Sequence, residues 1–302
     1  MAKTNRPSHK RTPTLPAMRL TTRDKQVIWG VHCYRVMTAH QIEVLYFASK
    51  KPNTRSRRSA CQRRLQHLYH HGYLARIPQP VILGEGRSVF VYALDKRGAD
   101  VIADLSGVDR KDVGWKPKQN LFGPIFLEHL LITKDVRTVI DLLVGYGVFE
   151  KMAWIDEQTL NAAEYQNKLP THTEKNKTKR IIPDGFFSVW MPNHEKPASF
   201  FLEVDQGTTT NALWIEKVRA YQSFRNSGKS LGYFGTTHFR ILAVVKSPGR
   251  LQNLKKATAQ YQGAQFFWFT TSNQVNVWQP QRFVEAIWEV AGEEGVHTLF
   301  TA

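Results

Sequence analysis

The second half of the chain alternates short apolar runs with longer segments of helical periodicity, and this alternation restricts the fold more than any other feature. The apolar runs predict strands at 148–155, 181–190, 198–205, 239–245 and 265–270. The periodic segments predict helices at 126–144, 208–225, 250–260 and 282–291. This order is typical of an α/β domain around a mixed sheet, and we place that domain at residues 121–302.

A different pattern occupies the first hundred or so residues. Residues 1–18 carry prolines among basic residues without an apolar period, which indicates a flexible basic arm. Helices are predicted from Thr22, from Thr38 (where Gln41 completes a capping box) and over 54–71, and strands at 73–83 and 88–94. Three helices followed by a hairpin are the order of a winged helix-turn-helix, which we place at 19–106, with a polar linker at 107–120.

The positive charge of the chain is concentrated at its N-terminal end. Of the net charge of +17, most lies in residues 1–72, which hold fifteen Lys or Arg residues against Asp24 and Glu43. Such a cluster attracts polyanions and releases their counterions on binding. We therefore expect nucleic acid as the partner, the alternative being a basic surface that only confers solubility.

The third predicted helix has one apolar side and one basic side. Cys61, Leu65 and Leu68 fall on the first, which is the arrangement of a helix that packs on a core and reads the major groove with its other face. Double-stranded DNA is the expected partner, and a solvated charged face is the alternative. The residues expected to contact DNA, including one at the tip of the wing, are Arg55, Arg57, Arg58, Arg63, Arg64, His67 and Arg87.

The two cysteines, Cys33 and Cys61, fit no zinc-binding spacing, which favours a reduced compartment. No apolar run has the ~18 residues of a membrane helix, and the N-terminus lacks the apolar segment of a signal peptide. The expected location is the cytoplasm, without a membrane partner.

Three acidic residues mark the ends of two predicted strands. Asp184 opens one strand, while Glu203 and Asp205 end the next and, being two residues apart, project from the same face. If Met191 pairs with Lys196 in an antiparallel hairpin, Asp184 lies opposite Glu203, and a slip of two residues places it opposite Asp205. In either register three acids converge, and their repulsion calls for a proton or a divalent cation.

Lys217 lies on the helix that follows these strands. It falls inside the apolar arc of that helix, where an ammonium is unfavourable unless it meets an acid. One interpretation is a functional group beside the three carboxylates. The alternatives are a structural ion pair or a lysine whose ammonium reaches past its neighbours to water.

The motif Pro183-Asp184 followed by Glu203-Val204-Asp205 resembles the signature of PD-(D/E)XK nucleases, which are restriction-endonuclease-like proteins. The longer pattern, with Phe-Leu-Glu-Val-Asp-Gln-Gly-Thr at 201–208 and then Lys217 and Tyr221, is similar to the replication-relaxation family of mobile elements. That resemblance, which runs from about Thr21 onward, implies an α+β chain: an N-terminal winged helix-turn-helix followed by a restriction-endonuclease-like α/β domain with a mixed sheet. The nuclease pattern has lysine two residues after the glutamate, where this chain has Asp205, so Lys217 is expected to supply the ammonium.

The resemblance also implies an activity, since some relatives look like plasmid mobilisation relaxases that nick DNA at a transfer origin. Asp184, Glu203 and Asp205 would hold Mg²⁺ or Mn²⁺, and Lys217 would steady the attacking water or the developing charge. The expected function is a metal-dependent DNA nickase or relaxase acting at a replication or transfer origin. The alternative is a winged-helix replication or transcription factor with an inactive nuclease-like scaffold. Other relaxosome, replication or transposition proteins are expected partners.

Overall fold

A computed structural model describes residues 11–12, 17–48, 54–77, 90–165, 167–174, 177–192 and 194–300. The chain divides into two compact units, Met1–Lys134 and Asp135–Ala302. Their composition of helices and a mixed sheet is α+β, as predicted. In the described part of the chain, no helix combines the length and the apolarity that crossing a bilayer requires.

The first unit contains four helices within its described residues, followed by the start of a fifth. The helices are α1 (Thr22–Tyr34), α2 (Ala39–Tyr46), α3 (Thr54–His70), α4 (Lys96–Ser106) and α5 (Pro124–Gly145), the last of which continues into the second unit. Thr21 with Asp24 caps α1, and Thr38 with Gln41 caps α2. In each case the side chains of the cap residue and of the third helical residue satisfy backbone N–H groups that the helix leaves open, so both helices begin where the sequence predicts.

A small antiparallel sheet accompanies these helices. Its strands are β1 (Val36–Thr38), β2 (Leu74–Ile77) and β3 (Val91–Leu94), in the order β1-β3-β2. Val36 pairs with Ala93 and Ile77 with Val91. The short strand β1 between the first two helices was not predicted. The tip of the predicted wing, which includes Arg87, lies outside the described residues.

The apolar side of α3 packs into the core of the first unit. Cys61, Leu65 and Leu68 are each at most 1% exposed and pack with residues of α1, α2 and the sheet. Residues of the predicted linker contact this unit. Trp115 Nε1 and Asn120 Nδ2 both donate to the carbonyl oxygen of Leu94, at 3.1 and 2.8 Å. Trp115 and Asn120 thus attach this segment to the end of β3, and the segment falls within the bounds of the first unit.

The second unit is built on a seven-stranded mixed sheet. The strands of this unit are β4 (Glu150–Asp156), β5 (Thr171–Glu174), β6 (Lys177–Arg180), β7 (Gly185–Trp190), β8 (Ala198–Asp205), β9 (Arg240–Val245), β10 (Phe267–Thr271), β11 (Ala286–Val290) and β12 (His297–Thr298). The sheet order is β12-β11-β10-β9-β8-β7-β4, while β5 and β6 form a separate hairpin. Among the described strands of this sheet, β9 pairs in parallel with both β8 and β10, so the carboxyl ends of these three neighbours lie at one edge.

Helices connect the parallel strands. Those of the second unit are α6 (Glu157–Leu160), α7 (Asn211–Asn226), α8 (Lys229–Phe234) and α9 (Pro248–Ala259). Short 3₁₀ turns lie at Pro117–Asn120, Ala163–Tyr165, Ala264–Phe266, Ser272–Gln274 and Pro280–Val284. Trp214, Val218 and Tyr221 of α7 are at most 1% exposed and pack with aromatic residues of the sheet, including Phe201 and Phe267.

Two predictions for this unit were wrong. The segment 282–291, predicted as a helix, is the end of a 3₁₀ turn followed by strand β11. Trp288 and Val290 are buried on one face of β11, and Val290 pairs with Trp268 of β10. The apolar pattern of this segment is compatible with a helix or a strand, and pairing with β10 makes it a strand. The basic segment 168–180, predicted as a solvated loop, contains the hairpin of β5 and β6.

Candidate functional site

Glu203 lies near the carboxyl end of β8, with its side chain directed toward α7. It is 1% exposed. Lys217 Nζ donates to its Oε2, and Tyr221 Oη donates to its Oε1 at 2.5 Å. The two donors are four residues apart and therefore occupy one face of α7. A single helical face thus holds both oxygens of the buried carboxylate.

Asp184 lies across from Glu203 on the neighbouring chain segment. Gly185 pairs with Leu202 in the antiparallel ladder, and the same register continued by one residue places Asp184 opposite Glu203. This is the register that the pairing of Met191 with Lys196 predicts. Asp184 N–H donates to Leu202 O at 2.9 Å, and its Oδ2 accepts from Val204 N–H at 2.6 Å. Directly opposed residues share a face of the sheet, so the two acids are neighbours.

Asp205 is engaged elsewhere, although it shares a face of β8 with Glu203. Arg250 Nε donates to its Oδ1 at 2.8 Å and Arg250 Nη2 to its Oδ2 at 2.9 Å. Gly207 N–H donates to Oδ1 as well. The structure therefore brings together Asp184, Glu203 and Lys217, and it pairs the third predicted acid with an arginine from the first turn of α9.

The pKa values of Glu203 and of its two partners are set by their burial and by the charges beside them. Burial raises the pKa of Glu203, the charge of Asp184 raises it further, and Lys217 and Tyr221 offset part of the rise. Burial alone would lower the pKa of Lys217, but the adjacent carboxylate of Glu203 outweighs it and the pKa lies above its ordinary value. Burial and the charge of Glu203 both raise the pKa of Tyr221. At neutral pH the lysine is charged and the phenol keeps its proton.

The pKa of Asp205 shifts in the opposite direction. Burial would raise it, but hydrogen bonds from Arg250 and from Gly207 N–H more than compensate, and the pKa is lowered. The pKa values of two carboxylates only two residues apart on one strand thus shift in opposite directions. Burial and a second acid dominate at Glu203, and the two-pronged guanidinium dominates at Asp205.

Two acids of the first unit, Asp24 and Glu43, act as buried partners of arginines on α3. Asp24 is fully buried and forms a two-pronged ion pair with Arg64, in which Nε lies 2.5 Å from Oδ1. Glu43 is 2% exposed and accepts from Arg57 Nε at 3.0 Å. These two predicted DNA contacts therefore have structural partners, which a helical projection of α3 alone does not reveal.

The remaining basic residues of α3 face solvent. Arg55, Arg58 and Arg63 are exposed, and Arg58 also approaches Glu43 with its Nε at 3.7 Å. His67 is partly buried and lines a groove of about 550 Å³ together with Arg63. Since both acids of residues 1–72 are buried, the exposed charge of α3 is positive.

Two glutamines on the same surface were missed by the sequence analysis. Gln62 and Gln66 are exposed and lie three to four residues from Arg58, Ser59 and Arg63 on α3. Gln62 follows Arg58 by four residues and Gln66 follows Arg63 by three, and this spacing was the available signal that they share a face with the exposed arginines. Arg250 was missed too. No local pattern gives the parallel pairing of β8 with β9, which brings the start of α9 to the edge where Asp205 lies.

Comparison with protein families identifies the chain. The family model described as Replication-relaxation matches residues 30–238, more than half of the sequence. The chain belongs to the replication-relaxation family. No curated protein and no solved structure matches it significantly.

The matched region of this replication-relaxation protein includes α3 as well as the group formed by Asp184, Glu203 and Lys217. It ends before β9 and α9, so Arg250 lies beyond it. Membership associates the chain with replication and mobile elements.

The carboxylates of this family member meet only part of what a divalent cation requires. Among the described residues, no three His, Cys, Asp or Glu side chains lie together in a way that can hold a metal ion. The pairing of Asp205 with Arg250 accounts for this, since it removes the third carboxylate. Asp184 and Glu203 remain as two neighbouring carboxylates, but Lys217 and Tyr221 already occupy both oxygens of Glu203, so a cation bound there would have to displace one of these donors.

A further polar group lies next to these acids in the chain. Gln206 follows Asp205 and is 9% exposed, and its amide Nε2 has no hydrogen-bond partner among the described residues. An unsatisfied buried donor is unfavourable by about 1–3 kcal/mol. Such a donor at the carboxyl end of β8 is suited to an acceptor that arrives with a ligand.

Proposed function

We propose that this replication-relaxation protein binds double-stranded DNA through its first unit and cleaves a phosphodiester bond at Asp184, Glu203 and Lys217. The observation that carries the proposal is the buried carboxylate of Glu203, held by an ammonium and a phenol and opposed by a second acid. Buried carboxylates with a raised pKa beside a like charge are typical of functional centres. The substrate is a replication or transfer origin of a mobile element.

For the first unit we propose a winged-helix fold in which α3 is the recognition helix. The order of three helices and a β2–β3 hairpin supports this assignment, as does the exposed basic face of α3. Arginine forks suit guanine or phosphate, and glutamine amides suit adenine, so Arg63 and Gln66 are complementary to base edges in the major groove. Arg63 and His67 line one groove, where they are placed for a phosphate of the backbone.

For the second unit we propose a restriction-endonuclease-like fold, on the basis of its mixed sheet and of the placement of the acids at the end of β8. Asp184 and Glu203 would hold Mg²⁺ or Mn²⁺, which when bound polarises the phosphate and lowers the pKa of a bound water. Lys217 stays protonated, and its ammonium would stabilise the negative charge that develops on a phosphate oxygen. Tyr221 fixes the orientation of the Glu203 carboxylate by donating to Oε1.

A nicking assay tests the proposal. Supercoiled DNA that carries the origin next to the gene is incubated with Mg²⁺ or Mn²⁺ and the full-length protein. We expect Asp184→Asn and Glu203→Gln to lose nicking by at least about 100-fold, the scale on which single catalytic groups act. Glu216→Gln is the matched control, since Glu216 lies on α7 next to Lys217 but pairs with Lys179 on the hairpin. Nicking that survives both substitutions in the centre would refute the assignment.

A second candidate function is a replication or transcription factor that binds DNA without cutting it. The pairing of Asp205 with Arg250 favours this alternative, because it leaves two carboxylates where three were expected. Under it, the pair of Lys217 and Glu203 only stabilises the fold. This alternative requires DNA binding that depends on Arg63 and no cleavage with either metal. Other proteins of a relaxosome, a replication complex or a transposition complex are the partners that both alternatives share.

A further inference from the structure

A cavity of about 440 Å³ opens at the end of the central strands that is opposite to the acids. Its walls include the first residues of β8 and β9, Ala198 and Arg240, whereas Glu203 lies toward the carboxyl end of β8. Ser199, in the wall of the cavity, precedes Glu203 by four residues. At about 3.3 Å per residue, the backbone positions are roughly 13 Å apart along the strand. The cavity is therefore a separate feature from the centre at Glu203.

Two arginines dominate the chemistry of this cavity. The guanidinium of Arg225 lies over the ring of Phe266 with its Cζ 4.6 Å from the ring centroid, and that of Arg240 lies over Trp268 at 4.5 Å. All four residues line the cavity. An aromatic face orients a guanidinium without neutralising it. Both forks are thus positioned at the wall while their charge is retained.

The charge of these arginines is not balanced by acids. No Asp or Glu lines the cavity, and within the described part of the chain neither arginine forms an ion pair. Arg240 donates from Nη1 to the carbonyl oxygen of Leu299 at 2.6 Å, which uses one of its five N–H groups. Burial lowers the pKa of both guanidinium groups, although arginine remains charged in proteins. Two desolvated cations without a counterion are an unfavourable arrangement unless an anion joins them.

The remaining lining specifies the kind of anion. Ser199 and Gln265 add polar side chains, and His238 lies exposed at the rim with its Nδ1 bonded to Thr237. Guanidinium forks match the oxygens of a phosphate in a two-pronged manner. The volume falls in the range of small-ligand sites, and the aromatic walls offer faces for a base. Phosphate on an aromatic carrier fits these walls better than a simple halide does.

We infer that this cavity binds a phosphate group between Arg225 and Arg240, presented by a nucleoside phosphate or by the terminal phosphate of a nucleic acid strand. The inference does not depend on the proposed cleavage at Glu203. It assigns to the second unit a binding site for nucleotide chemistry at the amino ends of its parallel strands.

Calorimetric titration of the full-length protein tests this inference. The probes are inorganic phosphate, adenosine monophosphate, and a short trinucleotide with and without a 5′-phosphate. We expect phosphate-bearing probes to bind and the trinucleotide to lose at least about tenfold in affinity without its phosphate, since charge-assisted two-pronged hydrogen bonds supply the contact. A stronger response to the monophosphate identifies a free nucleotide as the ligand. A stronger response to the phosphorylated trinucleotide identifies a strand end.

Arg225→Gln and Arg240→Gln should each weaken binding by about tenfold or more. Arg219→Gln is the matched control, because Arg219 lies on the same helix as Arg225 and is also stacked on an aromatic ring, that of Tyr261, outside the cavity. Glu203→Gln should leave binding unchanged, which separates this site from the proposed cleavage centre. Arg225→Lys and Arg240→Lys keep the charge without the fork, and they decide the matter if a glutamine variant fails to fold. Absence of binding by every probe, or equal affinity in wild-type protein and folded Arg225 and Arg240 variants, overturns the inference.

Discussion

In the first unit, Asp24 is fully buried beneath Arg64, whereas in the second unit the equally buried Glu203 has Lys217 as its cation. Burial raises the pKa of both carboxyl groups. At Asp24 the hydrogen bonds from Arg64 and Thr21 overcome it and the net pKa is lowered, whereas at Glu203 the net pKa is raised and the nearby Asp184 contributes. Burial thus dominates at Glu203, where Asp184 adds to it, whereas donated hydrogen bonds dominate at Asp24.

The first unit also uses its acids to define its surface. Asp24 and Glu43 are both buried under arginines of α3, so they neutralise charge inside the unit and leave the outer side of α3 positive. The second unit places its acids at a strand end, where cations arrive from α7 and α9. The first arrangement supports the proposed binding of a polyanion, and the second supports the proposed cleavage centre.

Removal of the ammonium from the Glu203 centre should have the largest effect. Lys217→Met leaves a carboxylate that is 1% exposed without its cation, and we expect the free energy of unfolding to fall by about 3–5 kcal/mol. Denaturant titration followed by circular dichroism measures it. The double variant Glu203→Gln/Lys217→Met should lose less than the single one, because no charge is then left unpaired.

The control for this prediction is Lys179→Met, which breaks the exposed pair with Glu216 and should change stability by less than about 1 kcal/mol. If the Lys217→Met variant unfolded at the same denaturant concentration as the wild-type protein, Lys217 would not stabilise the buried Glu203. The comparison of Glu203 with Asp24 would then lose its basis.

Adjacent arginines of α3 should separate stability from DNA binding. Arg64→Met strips the partner from Asp24 and should lower the free energy of unfolding by about 3 kcal/mol. Arg63→Met, one residue earlier and exposed, should change stability by less than about 0.5 kcal/mol. Denaturant titrations of both variants measure the difference. Equal stability of the two variants would show that the ion pair of Asp24 with Arg64 does not stabilise the first unit.

The exposed face of α3 should determine the affinity for DNA. Substitution of Arg55, Arg58 or Arg63 by Gln should weaken binding by about 1–3 kcal/mol where the arginine meets a base, and should reduce the salt slope by about one where it meets a phosphate. Fluorescence anisotropy over a series of salt concentrations distinguishes the two cases. Arg219→Gln, on α7 of the second unit, is the control. Unchanged affinity in all three variants would contradict the role assigned to this face.

For α3 and for the group around Glu203, the sequence predicted those features that depend on patterns within one helix or one hairpin. The short connection between β7 and β8 limited the register to two alternatives, and the structure has the one in which Asp184 opposes Glu203. The apolar arc of α7 pointed to Lys217 as a residue that meets an acid, one of the interpretations left open, and it pairs with Glu203. Periodicity likewise separated the buried from the exposed side of α3. Each of these inferences depends on neighbours within one element or one hairpin.

The partners that were missed come from distant parts of the chain. Arg250 reaches Asp205 across 45 positions, through the parallel pairing of β8 with β9, and Arg64 reaches Asp24 across 40. A helical projection gives the direction of a side chain and leaves its partner undetermined. The strand β11 was predicted as a helix for a related reason, since its pairing with β10 and not its own pattern decides its structure.

The pH dependence of stability should show the smallest effect and provide the sharpest contrast within one strand. Asp205 has a pKa below its ordinary 3.8, so its ion pair contributes stability above about pH 4 that is lost as the pH falls through the lowered pKa. Glu203 has a pKa above its ordinary 4.5, so its contribution is lost as the pH rises from 4.5 toward the raised value. The two residues should therefore tilt the stability curve in opposite directions.

Denaturant titrations of Asp205→Asn and Glu203→Gln between pH 3 and pH 7 measure this contrast, with the wild-type protein as the reference. Asp205→Asn should reduce the loss of stability on the acid side, and Glu203→Gln should reduce the loss above pH 4.5. Asp104→Asn, at an exposed position on α4, serves as the control for a change of charge alone. Because slopes are compared rather than absolute stabilities, a uniform cost of either substitution does not affect the result. Parallel slopes in the two variants would mean that Arg250 and Lys217 act alike on their acids, and the distinction between structural counterion and reactive centre would then have to rest on the cleavage assay alone.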